Sequence, residues 1–188
     1  MSTTQPIRKI EDINSLKKYF LEKEEYRNHL LVVLGLNTAL RICDILKLKW
    51  SDIFDKDGKT FKKHIIMVEK KTKKTTEIYI NSNIKKAVKL YVSKCGKNGE
   101  YIISNKKGKA ICRHQAFRII SMGGKECGIE EKISCHSLRK TFGYHAWKNG
   151  IQPAVLMQIY NHSSYEITKK YLGIVQDDKD AVFKEIKL

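Results

Sequence analysis

Apolar residues recur at helical spacing along almost the whole chain. β-Rich composition is confined to residues 64–68 and 75–80, with a shorter run at 101–104. That pattern reads as a mainly helical α+β domain with one small antiparallel sheet. Its two main strands are joined as a hairpin by the basic loop Lys70-Lys71-Thr72-Lys73-Lys74. Ahead of the hairpin, Ile13, Leu16 and Phe20 form a helical stripe behind Asp12. A second apolar helix covers residues 25–34 and is expected to break at Gly35 and Asn37, and a short one covers 41–48. Behind the hairpin, Ile84, Ala87, Val88 and Tyr91 make one stripe. Four further helical pieces follow near 112–127, 137–149, 153–160 and 164–171, punctuated by Gly150 and Pro153. Neither an internal repeat nor a linker interrupts this order. At 188 residues the chain suits one domain, 1–188, which buries about 70% of its unfolded surface around one core.

Charge narrows the partner. Thirty-seven Lys and Arg against 20 Asp and Glu leave a net +17, an excess that favours a polyanion such as nucleic acid. The five cysteines form no C-x-x-C pair and lack the density of a disulfide-stapled secreted domain, which points to a reducing cytoplasm. The longest apolar stretch, residues 30–36, is far short of a membrane span, and the N-terminus lacks a signal-peptide pattern, so no membrane partner is expected. A P-loop, G-x-G-x-x-G, H-E-x-x-H, G-x-S-x-G and zinc-ligand spacing are all missing.

What remains is a set of ionisable residues in distinctive places. Arg41 and Arg139 fall at the starts of expected helices, where a cation opposes the helix dipole at a cost of about 0.3–1 kcal/mol, so each asks for a reason. His136 precedes Arg139 by three residues. His162 is followed by Ser163 and Ser164, which can cap a new helix, and Tyr171 comes nine residues after His162. Taken singly, each arginine suits a solvated surface or an ion pair, and Tyr171 suits a core tyrosine packed beside Ile167.

Taken together and in order, these residues resemble the tyrosine recombinase, or phage integrase, family over about residues 6–175. Residues 38–53, Thr-Ala-Leu-Arg-Ile-Cys-Asp-Ile-Leu-Lys-Leu-Lys-Trp-Ser-Asp-Ile, look like the family's first arginine box, with Arg41 followed three residues later by Asp44. His136-Ser137-Leu138-Arg139 matches H-x-L-R. Asn161-His162-Ser163-Ser164 through Tyr171 matches the last box, and Lys71 takes the place of the family's lysine in the hairpin loop. Asn161 is a departure, since most members carry Gly before that His. The resemblance covers the catalytic domain alone, without the N-terminal core-binding domain of typical members, and marks residues 174–188 as a possible exchange helix that docks on a neighbouring protomer.

The resemblance implies a site-specific recombinase or integrase of a mobile genetic element, bacterial and cytoplasmic. It would act on double-stranded DNA through a 3′-phosphotyrosine intermediate and self-associate into a synaptic complex, without a small-molecule cofactor. Tyr171 would be the nucleophile, Arg41 and Arg139 the clamp on the phosphate, Lys71 the acid for the leaving 5′-oxygen, and His136 and His162 the imidazoles that accept the phenol proton or bind the phosphate. Asp44 would orient an arginine or histidine, and Lys70, Lys73 and Lys74 would touch DNA backbone. No metal is implied, because arginine and lysine bring the charge a metal would supply. Two alternatives share much of this pattern: strand relaxation of the type IB topoisomerase kind, and a DNA-binding accessory factor that has lost catalysis.

Overall fold

The computed structural model describes residues 4–68, 75–172 and 183–186. Their elements, in chain order, are α1 (Ile10–Glu22), α2 (Tyr26–Thr38), α3 (Ile42–Ile45), α4 (Trp50–Ile53), β1 (His64–Val68), β2 (Thr75–Tyr79), α5 (Ser82–Cys95), α6 (Arg113–Glu126), α7 (Cys135–Lys148), α8 (Pro153–Tyr160) and α9 (Tyr165–Leu172). The mainly helical α+β architecture is as expected from the periodicity.

Helix α2 is the axis of the domain. Leu30 to Gly35 are buried all round, so the helix needs cover on every side, and α1, α5 and α7 supply it. The expected break at Gly35 does not occur, and α2 runs on to Thr38. Gly35 has a packing role there: a Cβ on it would stand 2.6 Å from Leu138 Cδ1, so its bare backbone lets α7 press against α2. The helix expected over 41–48 is shortened to α3, and α4 forms beyond it where no helix was expected. Residues 101–104 make only isolated bridges, Lys49 to Tyr101 and Ser104 to Ala110, in place of a strand.

Strands β1 and β2 pair antiparallel with His64 opposite Tyr79 and Val68 opposite Thr75. Period-two alternation sends Ile65 fully inward, with Met67 and Ile78 packed on the core, and leaves Ile66, Val68 and Tyr79 outward. One side of the hairpin is thereby anchored. The tip itself, residues 69–74 with Lys70, Lys71, Lys73 and Lys74, lies outside the described residues, as do 174–182 and 187–188 of the expected exchange helix. Within the described part of that tail, Phe183 and Ile186 are exposed. Among the described residues no helix is long and apolar enough to cross a membrane.

Candidate active site

Helix α7 begins at Cys135 because Ser134 caps it: the Ser134 hydroxyl accepts from His136 N at 3.2 Å, and Ser134 N donates to Ser137 Oγ at 3.0 Å. His136 therefore sits in the first turn and Arg139 one turn on, with Leu138 buried against Gly35 between them. Arg139 is only 4% exposed. Its guanidinium reaches the ends of two other helices, Nη1 donating to the carbonyl of Ala39 beyond α2 and Nη2 to that of Tyr160, the last residue of α8, at 3.1 Å. The dipole argument therefore reverses. Whatever Arg139 loses to the start of its own helix, its charge lies at the negative ends of two neighbours.

Tyr160 completes this anchor. It is fully buried, its hydroxyl donates back to the Arg139 carbonyl at 2.8 Å, and the guanidinium lies over its ring at 4.6 Å. Burial pushes the Tyr160 phenol well above the ordinary range, so it stays neutral. Gly143, one turn after Arg139, leaves the space the Tyr160 hydroxyl fills; a Cβ there would collide with it. Arg139 Nε is buried with no hydrogen-bond partner among the described residues, an unspent donor beside a cleft.

Both helices that end on Arg139 do so through left-handed residues. Ala39 (φ 55°, ψ 13°) and Asn161 (φ 52°, ψ 44°) turn the chain sharply, so that Arg41 and His162 follow directly into the site. Asn tolerates this conformation better than other non-glycine residues, which explains why Asn161 can stand where most of the resembled sequences carry Gly.

Tyr171 arrives from α9, which starts behind the Ser164 hydroxyl as the sequence suggests. Its half-buried ring meets the edge of His136 at 4.9 Å, that of His162 at 4.5 Å and the ring of Tyr160 at 5.3 Å, with the Arg139 guanidinium at 5.9 Å. The His162 ring stacks on Tyr160 at 5.1 Å and forms a 3.0 Å hydrogen bond through Nδ1 with the hydroxyl of buried Thr168, also on α9. Thr168 and Tyr160 were not singled out in the sequence. The only local signal for Thr168 is its place three residues before Tyr171, which puts both on one side of α9.

The charge around these rings is positive. His162 is brought down to about 4, by loss of solvent and then by Arg139, Arg41 and His136. His136 is lowered by partial burial and then by Lys140, Arg139 and Arg41, although its outer side remains exposed. Both imidazoles are neutral at pH 7 and able to accept a proton. Arg41 caps α3 from an extended backbone (φ −71°, ψ 149°) and is exposed; its charge bears on His136, His162 and Arg139 alike. Asp44 follows Arg41 by one turn, and its Oδ1 accepts from the Cys43 thiol at 3.7 Å. Among the described residues no three His, Cys, Asp or Glu side chains gather as a metal site would require.

These groups stand beside a cleft of about 810 Å³ between the hairpin and α8, lined by Arg41, Asp44 and Arg139 on one side and by both strands on the other. Val68 and Thr75, from which the 69–74 loop departs, are at its wall, and Asn161 Nδ2 donates to Thr76 Oγ1 at 3.5 Å across it. The structure thus unites Arg41, His136, Arg139, His162 and Tyr171 from three separate stretches of chain. It leaves the position of Lys71 undescribed.

Comparison with known proteins identifies the family and the fold. The phage integrase family matches residues 8–176. The probable integrase/recombinase YoeC of Bacillus subtilis (strain 168) is 41% identical over 98% of this chain and 97% of its own length. A tyrosine recombinase of Pseudothermotoga lettingae is 27% identical over 92% of the chain and 58% of its own length. Among solved structures, XerA recombinase superposes with a TM-score of 0.78 at 18% identity, covering 100% of this chain and 66% of that one. A lambda integrase (75–356) dimer bound to a COC′ core site gives 0.71 at 18% identity, covering 100% of this chain and 65% of that one. The chain spans nearly all of YoeC but only about half to two thirds of the other relatives.

Proposed function

The chain belongs to the phage integrase family and is a tyrosine recombinase, and we propose that it cleaves and rejoins duplex DNA with Tyr171 as its nucleophile. The observation that carries this reading is the convergence of Tyr171, two neutral imidazoles and a buried arginine around one small volume. A decayed binding module would have no use for that assembly.

The chemistry has three difficulties. A phenol is only about one part in a thousand ionised at neutral pH; the phosphate gains charge as it is attacked; and an alkoxide leaves poorly. His136 and His162 answer the first. If Thr168 accepts from His162 Nδ1, Nε2 carries the lone pair that faces outward for the phenol proton. Arg139 and Arg41 answer the second: burial and then the neighbouring Arg41 charge lower the Arg139 pKa, an anion between the two guanidiniums relieves both, and the unspent Nε–H offers it a donor. Lys71 answers the third, carried on the loop whose ends flank the cleft and delivering a proton to the leaving 5′-oxygen. The Tyr171 oxygen bonds to phosphorus as the bond to the 5′-oxygen breaks, leaving a 3′-phosphotyrosine and a 5′-hydroxyl. Attack by a 5′-hydroxyl from the partner strand reverses the step, so no external energy is needed. Asp44 orients Arg41 from one turn away, and Lys70, Lys73 and Lys74 take DNA backbone, a role that the net +17 supports.

In the same reading residues 1–188 are a single catalytic domain, the protein works on DNA in the bacterial cytoplasm, and protomers assemble into a synaptic complex. The exposed Phe183 and Ile186 belong to an exchange segment over 174–188. The test is incubation with a nicked suicide duplex carrying a candidate site, followed by a denaturing gel. The wild-type chain is expected to give a covalent adduct and Tyr171→Phe none, with DNA affinity within a few-fold. An adduct that survives Tyr171→Phe removes Tyr171 from the chemistry.

A further inference from the structure

One charged group beside the nucleophile has no part in the scheme above. Lys140 follows Arg139 on α7, one turn beyond His136. Its ammonium lies 5.9 Å from the Tyr171 ring centroid, is half-buried, and has no carboxylate within ion-pair distance among the described residues. Its one hydrogen-bond partner there is a backbone oxygen: Nζ donates to the Thr4 carbonyl at 2.6 Å. The segment that carries this carbonyl runs beside α7 and is held there at Ile7. Ile7 N donates to Thr141 Oγ1 at 2.8 Å, the Ile7 carbonyl meets His145 Nε2 at 3.0 Å, and the Ile7 side chain is fully buried.

Resting on the reading of Tyr171 as nucleophile, we propose that Lys140 is a positioning residue of the strand-transfer site. Residues 4–7 act as a strap that holds its ammonium against His136 and Tyr171. Desolvating a lysine without an anionic partner is unfavourable, so the placement calls for a compensating use. The use is electrostatic. His136 is faced by Lys140 and Arg139 from α7, by Arg41 from the start of α3, by His162 from the loop before α9 and by Tyr171 from α9. Of the charged groups, Lys140 bears on it most strongly. A fixed cation one turn away keeps His136 free of its own proton and therefore open to that of Tyr171, as pH falls below neutrality. The segment ahead of α1 is thereby coupled to the nucleophile: a pull on residues 4–7 withdraws the ammonium and lets His136 protonate.

Single-turnover adduct formation on the nicked duplex, followed from pH 5.5 to 8.5, tests this in four proteins: wild type, Lys140→Met, Lys140→Arg and a chain lacking residues 1–5. Lys140→Met is expected to move the acid limb of the profile up by about one pH unit, slowing the reaction roughly fivefold at pH 5.5, about threefold at pH 6 and hardly at all at pH 8. Lys140→Arg should keep the wild-type limb. The truncated chain should shift in the direction of Lys140→Met by a smaller amount, and affinity in a gel shift should stay within about twofold throughout. A Lys140→Met profile parallel to wild type, an equal shift in Lys140→Arg, or a loss seen only in affinity and its salt dependence overturns the assignment, the last making Lys140 a DNA-backbone contact. Should Lys140→Met fail to fold by circular dichroism, the truncated chain decides, and a wild-type limb there rejects the strap. Absence of adduct from the wild-type chain itself strikes the nucleophile reading instead.

Discussion

The two arginines of the site are held in opposite ways. Arg139 is sealed between α2, α7 and α8, its guanidinium spanning two helix ends and its side chain laid on Tyr160. Arg41 stands just ahead of a four-residue helix, exposed at the edge of the cleft. One wall of the site is thus built from the core, and the other, Arg41 with the hairpin, borders open space. A buried wall can hold reacting groups in position before substrate arrives, whereas an exposed wall can accept a duplex. Stability and chemistry should therefore be coupled on the first wall and separable on the second.

Replacing the two arginines in parallel gives the sharpest test. Arg139→Ala should lower adduct formation by at least about a thousandfold. It should also cost about 2–4 kcal/mol, because it leaves the Ala39 and Tyr160 carbonyls unpaired, lowering Tm by roughly 5–15 °C at this chain length. Arg41→Ala should slow the reaction by about a hundredfold or more yet shift Tm by no more than about 1–2 °C. Equal Tm losses in the two variants would show that the contrast is false. Gly143→Ala attacks the same wall without touching a charge. Its methyl collides with the Tyr160 hydroxyl, so a loss of about 1–3 kcal/mol is expected in chemical denaturation, with slower adduct formation as Tyr160 shifts under Arg139 and His162.

Thr168→Val separates geometry from stability. It keeps the volume, removes the partner of His162 Nδ1, and should slow adduct formation about tenfold while leaving Tm within a few degrees. The smallest effect is in pH-dependent stability. His162 binds its proton near pH 4 when folded and near 6.5 when unfolded, so the unfolded state takes up more protons between those values. Stability is accordingly full above pH 6.5 and falls as pH drops toward 4, by about 1 kcal/mol once the partial exposure of the ring is allowed for. Urea midpoints at pH 7.5 and 4.5 should show this loss, and His162→Gln should reduce it; an unchanged loss in the variant would assign it to other groups.

Reading the chain without its fold succeeds where the signal is local. Helix α5 follows from Ile84, Ala87, Val88 and Tyr91 at helical spacing, and the hairpin from two β-rich runs around a basic loop, because periodicity acts over a few residues. The candidate residues Arg41, His136, Arg139, His162 and Tyr171 were legible for the same reason, each lying in a short box whose order identifies the family. Gly35 was misread as a breaker because its role is set by Leu138, more than a hundred residues away. Thr168, Tyr160 and Lys140 gave no sign of themselves, since each matters through partners that only folding brings near: the His162 ring, the Arg139 guanidinium, the Thr4 carbonyl. The amino-acid order alone determined a basic, mainly helical domain carrying the residues of a phosphotyrosine chemistry. Tertiary structure decided that Arg139 answers the dipoles of α2 and α8 in preference to its own helix and that both histidines remain neutral, because burial and through-space charge depend on distances that a linear order does not contain.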